Sequence, residues 1–173
     1  MSIIFVILVA ALLVWIAVIY NRLVSAKNTV LAAWSDIDVQ LKRRHDLIPK
    51  LVEAVKQYAT YENATITAVT TLRTESQKLQ EVSKKQEVEA ELGKMIHQLV
   101  AIGENYPDLK ANQSFLDLQY NLTEVEKNIQ YARRYYNGAV RNLNVRIESF
   151  PDVLIARFFR FLPAEYFDFD ETV

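Results

Sequence analysis

FLDLQYNLTEVEKNIQYARRYYNGAVRNL, residues 115–143, is the stretch that decides the fold. Phe115, Leu118, Leu122, Val125, Ile129, Ala132, Tyr136, Ala139 and Leu143 follow one another at alternating spacings of three and four. That is an apolar seam on one face of an α-helix, held over about four heptads. At 1.5 Å per residue the helix is about 50 Å long, and a seam of this length needs partners to cover it. Pro151 closes the run.

Upstream lie three further helical stretches. Val88, Leu92, Met95, Leu99 and Ile102 form the nearest, with Ser83 and Gln86 spaced as a capping box at its start and Gly103 and Pro107 ending it. Before it come Val52, Val55, Tyr58, Ala59, Ile66, Val69, Leu72 and Leu79, in a segment whose many threonines weaken intrinsic helicity. The first stretch carries Leu23, Val30, Trp34, Ile37, Leu41 and Ile48 on one face. Pro49 then predicts a bend or a stop, and these residues do not decide whether the chain reverses there. No strand pattern competes. The fold class is therefore all-α: an N-terminal transmembrane helix followed by an antiparallel, up-and-down bundle of about four long helices.

The transmembrane expectation rests on IIFVILVAALLVWIAVIY, residues 3–20, which carry no charge. As a helix they span about 27 Å, close to the roughly 30 Å hydrocarbon core. Ile3, Phe5, Leu8 and Leu12 supply lipid-facing bulk, and Trp15 and Tyr20 lie toward the end where amphipathic rings favour the boundary. Arg22 and Lys27 follow at once, so the Lys/Arg asymmetry puts the body in the cytoplasm and a short N-terminus outside. A cleaved signal peptide is the competing reading, but the segment lacks a basic n-region and a convincing cleavage site.

Composition narrows the chemistry. The 173 residues hold 20 Lys+Arg against 21 Asp+Glu, and this near-balance argues against a nucleic-acid partner. With no Cys and 2 His there is no thiolate metal site, no disulfide and little acid–base capacity. Glu-x-x-His, His-Glu-x-x-His, glycine-rich phosphate loops and a Gly-x-Ser-x-Gly elbow are all missing. His45 beside Asp46 has no nucleophile nearby and reads as a helix-end residue; His97 reads as surface or core filler. The expectation is a non-enzyme with no catalytic, cofactor or metal residues and no small-molecule substrate.

Candidate interaction residues remain. Arg44 lies near the apolar seam, which suggests a charge paired with an acidic residue of another helix to fix register. Gln119, Glu126, Arg133 and Asn137 recur on one side of the last long helix, as interhelical contacts, a partner surface or a solvated face. The tail after Pro151 crowds Phe158, Phe159, Phe161, Tyr166, Phe167 and Phe169 together, with Arg157 and Arg160 interleaved. Three readings stand: an interfacial helix against lipid, a docking segment for a neighbouring subunit, or a cap on its own bundle.

Taken in order, the chain resembles the LemA family of bacterial membrane proteins. The likeness is carried by Tyr20-Asn21-Arg22-Leu23-Val24, by residues 33–44 (AWSDIDVQLKRR), and by residues 46–52 (DLIPKLV). Residues 106–112 (YPDLKAN) continue it, then Phe115, Leu118-Gln119, Glu126, Ala132-Arg133, Tyr136-Asn137 and Asn144, with Phe150-Pro151 and Phe161-Leu162-Pro163 at the end. The resemblance implies a bacterial, N-terminally anchored, cytoplasm-facing helical bundle. It implies no enzymatic activity and supplies no catalytic residues. Relatives implicated in envelope stress and in shaping magnetosome membranes hint at a scaffold.

The expected organisation is an anchor over residues 1–20, a cytoplasmic bundle over 21–150 and an aromatic tail over 151–173. The expected function is a self-associating scaffold that organises or remodels the bacterial inner membrane or envelope. Its partners are the lipid bilayer and further copies of the chain. The alternative is a monomeric adaptor or accessory subunit for another membrane protein, such as a protease, transporter or signalling complex.

Overall fold

A computed structural model of the chain describes residues 2–59 and 61–167. The described residues are helical, without a strand: α1 (Ser2–Lys56), α2 (Asn63–Lys78), α3 (Val82–Glu104), α4 (Pro107–Lys110), α5 (Gln113–Glu148) and α6 (Asp152–Phe158). They form two compact units, one grouping Met1–Asp36 with Arg134–Tyr166, the other Ile37–Arg133 with Phe167–Val173. The long helices α1 and α5 contribute to both.

In the first unit the apolar run of α1 is uncovered. Ile3 is 76% and Leu12 54% exposed, and protein cover begins at Ile19 and Leu23, where the uncharged segment ends. Below that level Leu23, Val30 and Ala33 of α1 are buried with Tyr136, Ala139, Val140, Leu143 and Ile147 of α5, and with Ile155 and Ala156 of α6. The Trp34 and Tyr136 rings meet at 5.6 Å.

The second unit has a continuous core. Ile48, Leu51 and Val55 of α1, Ile66 and Val69 of α2, Leu92, Ile96 and Leu99 of α3, Leu109 of α4, and Phe115, Leu118 and Leu122 of α5 make one buried cluster. Gly103 leaves room on α3 for the Phe115 ring of α5, since a Cβ there would lie 2.5 Å from that ring. Its role is close approach, and α3 runs past it to Glu104.

Three local expectations are corrected. The helix neither stops nor reverses at Pro49; α1 continues to Lys56. Proline leaves the carbonyl four residues back without its donor, and here that carbonyl, of His45, accepts the Arg73 Nε–H at 2.8 Å. The break falls instead after Lys56, between α1 and α2, where neither Gly nor Pro stands. The proposed capping box does not form: Glu81 is the N-cap of α3 and has no side-chain cap bond, while the Ser83 hydroxyl turns to the Glu81 carboxylate at 3.3 Å. In α2, Thr67, Thr70 and Thr74 bond back to carbonyls four residues earlier, which occupies hydroxyls that otherwise compete with the helix.

Candidate functional site

The most polar place in the second unit lies inside it. Glu89 on α3 is fully buried, and a lone carboxylate in such a place costs several kcal/mol. Three groups answer it. Arg44 bonds its carboxylate, and also its carbonyl at 3.1 Å. The His45 Nε2–H donates to Oε1 at 2.6 Å, and the Ser76 hydroxyl donates to the same oxygen. Burial pushes the Glu89 carboxyl upward, but the His45 hydrogen bond, the charges of Arg44 and His45 and the Ser76 hydroxyl together outweigh it, and hold it at about 2. Arg44 then reaches outward, donating to the half-buried Glu126 of α5 at 3.0 Å. α1, α2, α3 and α5 are thereby tied through one carboxylate and one guanidinium.

Beside Arg44 opens a cleft of about 380 Å³ lined by His97, Gln119, Thr123, Glu126 and Lys127 among others. Gln119 spans to Glu104 of α3 at 3.2 Å. Among the described residues no group of three or more His, Asp or Glu is placed to hold a metal ion.

The other candidate surface belongs to the first unit. α6 ends in a paired-hydrogen-bond cap: Phe161 N–H donates to Ala156 O at 2.9 Å and Arg160 N–H to Arg157 O at 3.2 Å, with Arg160 in the left-handed region at φ 55°. The chain then turns back along α5. The Asn144 side chain makes two 2.9 Å bonds with the Ala164 backbone, and the Tyr136 hydroxyl donates to Glu165 O at 2.9 Å. Phe159 and Phe161 come to rest 4.7 and 5.8 Å from the Tyr20 ring.

All of these framework residues except Tyr20 fall within the part of the chain that matches the LemA family, residues 33–173. The chain belongs to the LemA family. Among curated relatives, Protein LemA of Metamycoplasma hominis is 27% identical over 75% of this chain and 60% of its own length. Magnetosome protein MamQ 2 of Paramagnetospirillum magneticum is 24% identical over 86% of this chain and 64% of its own, and MamQ 1 of the same organism gives the same figures. The chain thus spans a little under two thirds of the relatives it matches. Neither name denotes an enzyme.

Within this LemA-family fold the candidate residues separate into groups. Arg44 and Glu126 are joined, with Gln119 on the same cleft. Arg133 lies over the Phe167 ring at 5.5 Å, and Phe167 is fully buried. Phe159 and Phe161 pack on Tyr20, while Phe158 and Tyr166 keep exposed faces. Phe169 lies outside the described residues. Ile3, Phe5, Leu8 and Leu12 are uncovered, and Trp15 and Tyr20 are part-exposed.

Sequence reasoning missed Glu89 and Ser76, and misread His45, which is buried inside α1 and bonded to Glu89. A signal for Glu89 existed. Lys85, Glu89, Leu92, Ile96, Leu99 and Gly103 are the buried face of α3, at spacings of four and three. Reading only apolar letters turned that face by one residue, toward Val88 and Met95.

Proposed function

We propose that the chain is a single-pass, non-enzymatic membrane protein that self-associates as a scaffold organising the bacterial inner membrane. The observation that carries this reading is the uncovered apolar stretch of α1, long and apolar enough to cross a membrane, which continues without a break into the bundle. Arg22 and Lys27 directly follow it, and α5 brings Arg141 and Arg146 to the groove that Arg22 lines. The cations gathered there support a cytoplasmic bundle, by the preference of Lys and Arg for that side of a membrane.

Self-association is supported by the outer face of α5 in the second unit, where Leu116, Tyr120 and Tyr131 stay exposed, Tyr120 by 67%. Exposed tyrosines on a rigid helix suit an interface between copies. The MamQ relatives are named as magnetosome proteins, which agrees with work on membranes.

The test is the mass of the full-length chain in mild detergent, by light scattering on a sizing column. A discrete multimer that Tyr120→Asp and Tyr131→Asp reduce in size supports the scaffold. A monomer that co-purifies with one stoichiometric membrane protein turns the reading into an adaptor.

A further inference from the structure

In the first unit, α1 and α5 flank a groove of about 910 Å³, whose cations the scaffold reading takes only as a sign of orientation. Its lining includes Arg22 and Ser25 of α1 and Arg141, Asn142 and Arg146 of α5. Arg22 and Arg141 are exposed and form no ion pair among the described residues. Arg146 reaches Asp152 only at 3.7 Å. Three arginines therefore line one open groove, and none of its lining residues carries a carboxylate. Self-repulsion of that kind is relieved by an anion, and guanidinium forks match phosphate oxygens.

Position says which anion. Arg22 stands about 3 Å past Tyr20 along the helix axis, just beyond the uncharged segment. The tail is held at the same depth by the Phe159 and Phe161 rings on Tyr20. There Phe158 and Leu162 are each 79% exposed, and Arg157 and Arg160 lie open beside them. Uncovered aromatic and aliphatic groups interleaved with cations fit the boundary layer of a bilayer. The groove itself is unobstructed, since a Cβ on Gly138, which lines it, would meet nothing within 4 Å.

We propose that this groove binds the phosphate headgroup of an anionic phospholipid, with Arg22, Arg141 and Arg146 as its cations and the exposed tail residues seated in the adjoining interface. The inference rests on the reading that α1 crosses the membrane.

The test is native mass spectrometry of the full-length chain in mild detergent, titrated with phosphatidylglycerol, with phosphatidylcholine of the same acyl chains, and with inorganic phosphate. Phosphatidylglycerol should bind about tenfold or more tightly than phosphatidylcholine. The pair Arg22→Gln with Arg141→Gln should abolish that preference, and Gly138→Leu should do so by filling the groove with every arginine intact. Lys42→Gln with Arg43→Gln, the same loss of charge on exposed positions elsewhere, should leave it unchanged. Equal binding of the two lipids, an equal loss in the Lys42/Arg43 control, or inorganic phosphate binding as tightly as phosphatidylglycerol would overturn the proposal. Alkaline extraction of membranes tests the underlying reading separately. A chain that resists extraction without a lipid preference sinks the site alone, and a chain that is extracted sinks the anchor as well.

Discussion

Glu89 shows how one residue can hold a bundle together and also make it vulnerable. Its carboxylate is stable only because Arg44, His45 and Ser76 all point at it. Removing one partner of such a pair leaves a charge buried alone, at a cost of about 3–5 kcal/mol. Glu89→Ala should therefore destabilise the chain by that order, read by denaturant unfolding. Replacing Glu89 and Arg44 together by Leu and Met should cost much less than the two single changes added. Strict additivity would show that the pair is not coupled. The same geometry sets a pH dependence. The folded carboxyl lies at about 2, below its ordinary 4.5, so the unfolded chain takes up the proton first as pH falls. Its contribution is complete above pH 4.5 and disappears toward pH 2, about 3 kcal/mol at about 1.4 per unit. Unfolding at several pH values, compared between the wild type and Glu89→Gln, should show this slope in the wild type alone.

At the scale of elements, the continuity of α1 through Pro49 depends on a donor from another helix. Arg73 of α2 satisfies the carbonyl of His45 that proline leaves bare. Arg73→Ala should destabilise by about 1–3 kcal/mol. Adding Pro49→Ala to that variant should restore part of the loss, because an alanine supplies the missing N–H within α1. No recovery in the double variant would mean that Arg73 acts through some other contact. The tail is a second case. The Asn144 side chain clamps the Ala164 backbone by both its oxygen and its nitrogen. Asn144→Ala should release the segment after α6, so that limited proteolysis cuts between residues 159 and 166 well before it cuts α5. Protection unchanged from wild type would show that the Tyr136 hydrogen bond and the aromatic contacts with Tyr20 hold the tail without Asn144.

For the whole molecule, the decisive feature is an apolar helical surface that the protein does not cover. Burying that surface is favourable by roughly 25 cal/mol per Å², so an uncovered run from Ile3 to Val18 finds lipid or aggregates. The full-length chain should stay in the membrane fraction after alkaline carbonate, whereas a fragment beginning at Asn21 should be released. Release of both would remove the anchor.

What the residues determine alone is whatever depends on neighbours three and four positions away. The seam from Phe115 to Leu143 and the uncharged segment before Tyr20 are both local patterns, and the helical fold follows from them. Tertiary structure decides what depends on partners far along the chain. Glu89 looks like one more helix-surface carboxylate until Arg44, 45 residues away, and Ser76, 13 away, are brought to it. Pro49 looks like a stop until Arg73 arrives, and the course of the aromatic tail along α5 is set by Asn144 and Tyr20. The reason is energetic: periodicity is set within one helix, whereas the cost of a buried charge or a bare carbonyl is set by whichever group folding places opposite it.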